Sequence, residues 1–138
     1  MADEASVLVV ANVTSTSREL IETLKERAAE GPCHFTLLMP HKPEGSEDAM
    51  RERLEEAMTR MRDAGLKVED GRLGESDPAA AVSAIWDPAR FDGIVISTLP
   101  EGRSEWLEAD VPRRVEKATG VEVTQVQAIG SGRATFNP

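Results

Sequence analysis

The chain has 138 residues, 40% of them hydrophobic, and 25 acidic against 16 basic side chains give it a net charge of −9. That length predicts one domain, residues 1–138, large enough to bury roughly two-thirds of its unfolded surface. The acidic balance argues against broad binding to nucleic acid or to anionic membranes, where affinity comes from neutralising phosphates. No apolar run approaches the roughly 20 residues of a membrane span, and the start Met1-Ala2-Asp3-Glu4-Ala5-Ser6 lacks the basic opening of a signal peptide. A cytoplasmic protein is expected. The lone Cys33 has no partner for an intramolecular disulfide, and one Cys with His34 and His41 is too small a set for a zinc site.

Residues 6–11 are a short continuous apolar run, the pattern of a strand buried on both faces of a parallel sheet. Next, Thr14-Ser15-Thr16-Ser17 offers several N-caps. Thr16 and Glu19 have capping-box spacing, so a helix is expected there with Leu20, Ile21, Leu24 and Ala28 on one face, ending at Gly31-Pro32. A second strand over 34–39 leads into the proline-rich loop 40–46. Met50, Leu54, Ala57, Met58 and Met61 recur with helical spacing, and Gly65 stands where a C-cap belongs. The methionines read as core packing rather than as a sticky surface, because thioethers fill irregular gaps well.

A weaker third strand is expected over 66–69. Asp77-Pro78 then opens a helix through Ala81, Val82, Ile85 and Trp86, which Asp87-Pro88 closes. A strand over 93–97, a loop, a helix over 111–118, Gly120 and a last strand over 121–128 complete the chain. Five strands alternating with four helices predict a single-domain α/β fold with a parallel sheet.

In such sheets a ligand lies beyond the carboxyl ends of the strands, where a glycine-rich turn before a helix offers backbone N–H groups to a phosphate. Here that segment is Ser97-Thr98-Leu99-Pro100-Glu101-Gly102-Arg103-Ser104, followed by Asp110-Val111-Pro112-Arg113-Arg114. The candidate crevice therefore comprises Asn12, Val13, Thr14, Met39, Ser97, Thr98, Leu99, Pro100, Gly102, Arg103, Ser104, Asp110 and Arg113. Asp110 reads as a helix cap worth roughly 1 kcal/mol, or else as a catalytic carboxylate. Arg103, Arg113 and Arg114 read either as an anion clamp or as helical partners of Asp110. Trp106 reads as an apolar anchor, or as a stacking surface. His41 has no nucleophile beside it in sequence.

In its order of features the chain resembles the universal stress protein family over nearly its whole length. The resemblance rests on Val7-Leu8-Val9-Val10-Ala11-Asn12, the turn Gly74-Glu75-Ser76-Asp77-Pro78, Phe91-Asp92-Gly93-Ile94-Val95-Ile96 and the valine-rich last strand. It implies a doubly wound sheet of strand order 3-2-1-4-5 with helices on both faces, a role in stress response, and a homodimer joined through the last strand. Members that bind ATP carry, after the fourth strand, glycine, two residues, glycine, nine residues, glycine and a hydroxyl residue. Counted from Ser97, those places fall on Ser97, Pro100, Asp110 and Val111, none of which keeps the family residue. Pro100 has no N–H to donate. A carboxylate at Asp110, about 4 Å from a phosphate charge, costs roughly 1 kcal/mol in water and about 4 at an intermediate dielectric. The family's adenine-contacting aspartate is Asn12 here.

Three functions are weighed. The first is a binding and regulatory module that does not hold ATP in the family's manner. The second is an adenine-nucleotide binder with an altered phosphate site, using Asn12 at the base and Arg103 or Arg113 at phosphates. The third, a nucleotide hydrolase, is the weakest, because the sequence offers no metal set and no nucleophile beside a base. The expected partners are a small-molecule ligand and a second copy of the chain.

Overall fold

The computed structural model describes residues 4–12, 14–41, 46–99, 106 and 110–128. The elements follow in the order β1 (Ala5–Val10), α1 (Arg18–Glu30), β2 (Cys33–Pro40), α2 (Glu47–Asp63), β3 (Val68–Gly74), α3 (Pro78–Ile85), β4 (Gly93–Thr98), α4 (Val111–Thr119) and β5 (Val123–Gln127). The strands form one parallel sheet in the order β3-β2-β1-β4-β5. The expected α/β architecture and strand order are therefore present.

Alternation along the central strands divides the core between two faces. Val7 and Val9 of β1 join Phe35, Leu37, Met39 and Val95 under α1 and α2, which contribute Leu20, Leu24, Leu54, Ala57 and Met61. Leu8 and Val10 join Leu38, Ile94 and Ile96 under α3 and α4, which contribute Ala79, Ala81, Val82, Val111 and Val115. β1, β2 and β4 are apolar on both sides because both faces are covered. The methionine stripe of α2 faces the core: Met61 is fully buried, and Met50 and Met58 pack partly buried against it.

Local chemistry shifts several expected boundaries. α1 is capped by Ser17, whose hydroxyl accepts the Leu20 N–H at 3.2 Å, so Thr16 and Glu19 form no capping box. At the end of α2 the C-cap is Ala64, and Gly65 follows with φ +95°, a left-handed conformation that glycine adopts without penalty. β3 starts two residues later and ends five residues later than expected, running from Val68 to Gly74 rather than over 66–69. It is an edge strand, and its polar residues obscure the strand pattern in the sequence. β5 is shorter than expected, Val123–Gln127 rather than 121–128, and the N–H of its first residue, Val123, donates to Glu116 Oε2 at 2.9 Å.

Candidate functional site

β1 has β2 on one side and β4 on the other, and the chain changes sheet face between β3 and β4, so the topological switch point lies between β1 and β4. The crevice at the carboxyl ends of these strands is where open α/β sheets bind ligands. Val10 is level with both Leu38 and Ile96. Two residues farther along, the same register brings Asn12, Pro40 and Thr98 to one rim.

At this rim the side chains are partly committed to each other. Asn12 donates from Nδ2 to the carbonyl of Pro40, and its Oδ1 accepts from Nη1 of Arg53 at 3.1 Å. The turn beyond β1 closes through Ser15 N–H to Asn12 O and Ser17 N–H to Thr14 O, both 3.0 Å. That turn brings Thr14 Oγ1 within 2.7 Å of Ser97 Oγ, a buried hydroxyl pair joining the ends of β1 and β4. Ser97 occupies the first glycine place of the ATP pattern, and its hydroxyl is engaged in this contact.

Thr98 is the exception. It is 1% exposed, its N–H and C=O belong to β4, and its carbonyl accepts the Ala128 N–H at 2.9 Å. Its Oγ1 is buried without a hydrogen-bond partner among the described residues. By strand alternation Thr98 follows Ile94 and Ile96 onto the α3/α4 side of the sheet.

Helix α4 begins beside this rim. Asp110 precedes it with φ 56° and ψ 40°, left-handed backbone at the third glycine place of the pattern. Its side chain makes no capping hydrogen bond, so the expected side-chain cap is not formed; a left-handed Ncap lacks the extended backbone from which a capping oxygen reaches back to the helix. Its carbonyl does accept the Arg114 N–H at 3.0 Å, and its carboxylate lies 3.9 Å from Arg113 Nη1. Arg114 does not pair with Asp110. It reaches across to Asp77 at 2.8 Å, because α3 and α4 lie side by side on one face. These two residues also border a shallow cleft of about 460 Å³ between the helices, with Ser83 and Lys117 on its walls.

Of the other expected site residues, Met39 is fully buried in the core under α1 and α2, and Leu99 is half-buried. Trp106 is partly buried against the α3/α4 core, the anchoring role rather than a free stacking face. Val13, Pro100, Gly102, Arg103 and Ser104 lie outside the described residues. Arg53 was not among the expected residues. It sits on the exposed face of α2, forty-one positions from Asn12, and no linear spacing connects them.

At the opposite, amino-terminal edge of the sheet, Glu4, His34 and Glu69 bring potential metal-ligating atoms within 4.8 Å of one another. Two histidines and a cysteine had been too few for a zinc site; here carboxylates join one of the histidines. Lys67 Nζ already sits 2.8 and 3.0 Å from the two oxygens of Glu4. The ammonium and the His34 ring hold the Glu4 carboxyl below its usual range, and Glu4 in turn raises Lys67. The group is a solvent-facing ion-pair network. Cys33 is buried, and loss of solvent pushes its thiol up, so it is held protonated and unreactive. Among the described residues no helix is long and apolar enough to cross a membrane.

No family model matches the sequence, and no curated protein matches it. Solved structures do match. A universal stress protein in complex with cAMP is 20% identical over 93% of this chain and 100% of its own, with a TM-score of 0.61. The universal stress protein from Archaeoglobus fulgidus in complex with dAMP is 18% identical over 92% of this chain and 100% of its own, with a TM-score of 0.62. A member of that family from Burkholderia pseudomallei is 16% identical over 90% and 96%, with a TM-score of 0.61. Strand order, helix placement and coverage agree: this chain has the fold of the universal stress proteins.

Proposed function

We propose that the protein is a cytoplasmic binding and regulatory module of the universal stress type, which takes a purine nucleoside monophosphate at the β1/β4 switch point and does not hold ATP in that family's usual manner. The observation that carries this reading is Thr98 Oγ1, buried at the ligand end of β4 without a hydrogen-bond partner among the described residues. Leaving a buried hydroxyl unpaired costs about 1–3 kcal/mol, a cost that a ligand oxygen arriving there removes. The similar structures that hold cAMP and dAMP support a monophosphate of this size. Against a longer phosphate chain stand the Ser97 hydroxyl, tied to Thr14, and the Asp110 carboxylate at the head of α4. As a regulatory module it would act as a homodimer paired through β5.

Calorimetry on wild type and Thr98→Val tests the reading. Wild type should bind AMP or GMP more tightly than Mg-ATP. Thr98→Val should weaken the monophosphate about tenfold without lowering the stability of the free protein, since it removes an unsatisfied hydroxyl at nearly constant shape. Failure of wild type to bind either monophosphate, or low-micromolar affinity for Mg-ATP, overturns the proposal.

A further inference from the structure

At the amino-terminal end of the sheet, opposite the switch point, three neighbouring strands each bring one donor atom to the same spot. Glu4 immediately precedes β1, His34 is the second residue of β2 and Glu69 the second of β3, and one ligating atom of each lies within 4.8 Å of the others. Alternation turns His34 away from α1 and α2, under which its neighbours Cys33 and Phe35 pack, so the Cys33 thiol does not belong to the group. Glu69 arrives by a bulge. Phe35 pairs with Val68 and Thr36 with Asp70, which leaves Glu69 as the extra residue of β3, and such a residue re-aims its side chain. His34 Nδ1 stands 3.4 Å from Glu69 Oε2, longer than a good hydrogen bond. It is about the separation, roughly 3.4 Å, of two ligand atoms held around one tetrahedral zinc.

We propose that Glu4, His34 and Glu69 form a site for a divalent transition cation of the zinc type, which ties together the amino ends of β1, β2 and β3. An imidazole with carboxylates is a donor set that suits zinc, and three protein ligands leave a fourth position for water. The second contact needs little movement: His34 Nδ1 and Glu4 Oε1, 2.8 Å apart, separate by about half an ångström to reach ligand spacing. Lys67 is the resident counter-ion. Its ammonium lies 2.8 and 3.0 Å from the Glu4 oxygens, but its side chain is 60% exposed on a flexible stem, so a divalent charge displaces it into solvent. Among the described residues the Glu69 carboxylate has no ion-pair contact other than the His34 ring, so no cationic side chain has to leave it.

Calorimetry and thermal denaturation with zinc chloride alone, on the full chain, test the proposal. Wild type should bind one zinc in the micromolar range and melt several degrees higher in its presence, and excess magnesium, which prefers an all-oxygen shell, should not compete. His34→Gln and Glu69→Gln should each weaken zinc about tenfold or more, and Lys67→Met, which removes the competing ammonium, should tighten it. Cys33→Ser should leave the affinity unchanged. Melting of each variant without zinc confirms that it folds. Affinity no better than millimolar in wild type, affinity unchanged in His34→Gln, or loss of zinc to excess magnesium overturns the proposal. Loss of binding in Cys33→Ser overturns it as well, by placing the metal on the thiol.

Discussion

Asp110 combines two properties that a cap aspartate does not normally combine: left-handed backbone and a carboxylate without a capping bond. Left-handed backbone costs an ordinary L-residue about 1–2 kcal/mol, less for aspartate and asparagine, and nothing for glycine. The ATP pattern has glycine at this place, so the chain keeps a glycine-compatible backbone while adding a negative charge. Asp110→Gly should then leave stability unchanged or raise it by up to about 0.5 kcal/mol, the strain relieved being offset by glycine's freedom in the unfolded chain. Asp110→Ala should be about 1 kcal/mol less stable than Asp110→Gly. Urea denaturation of the two variants decides: equal stabilities mean that the backbone at 110 is not strained. The sequence located this helix start through Asp-Val-Pro, but the sign of φ is set by how α4 meets the sheet, which local pattern does not encode. Arg53 escaped the sequence for the same kind of reason, since its partner Asn12 is brought to it only when β1 and α2 share a rim.

At the scale of elements, the apolar runs of β1, β2 and β4 and the helical stripe of α2 were legible because both depend on burial, and burial leaves a period in the sequence. β3 was only partly legible: Glu69, Asp70, Gly71 and Arg72 break the apolar run, and their strand form follows from pairing with β2. Gly74, the last residue of β3, was legible only as part of a turn. Its structural reason is close packing, for a Cβ there would lie 2.8 Å from Ala81 Cβ on α3 and 3.1 Å from Leu38 Cδ1. Neither neighbour yields easily, since one is fixed to a helix backbone and the other is buried. Gly74→Ala should cost about 1–3 kcal/mol, the range for overpacking. Gly71→Ala should cost less, because the atom met first is the Met58 sulfur, on a flexible side chain that can swing aside, which leaves the contacts at 3.1 and 3.2 Å to Leu54 Cδ1 and Cγ as the residual crowding. Thermal denaturation that ranks the two variants in the opposite order removes the packing argument.

At the scale of the whole molecule, the sheet ends in two edge strands, β3 and β5, which have no strand beyond them among the described residues and differ in chemistry. β3 carries Glu69, Asp70 and Arg72, and charges on an edge oppose pairing with another strand. β5, with the sequence VTQVQ, carries none, and Thr124 and Gln125 are exposed on it. The Ala128 N–H faces β4, where it donates to Thr98 O, so by alternation the N–H groups of Val123, Gln125 and Gln127 point away from the sheet. Glu116 covers the first of these, which leaves Gln125 as the central donor for a second copy of the chain. A two-fold axis beside β5 would pair the strand with itself, antiparallel, and extend the sheet across the dimer. Proline at 125 removes that outward donor while sparing the bonds to β4, a substitution that edge strands tolerate. Light scattering should find a dimer for wild type and a folded monomer for Gln125→Pro, with the monomer's circular dichroism unchanged. A wild-type monomer, or a dimer indifferent to that proline, refutes pairing through β5.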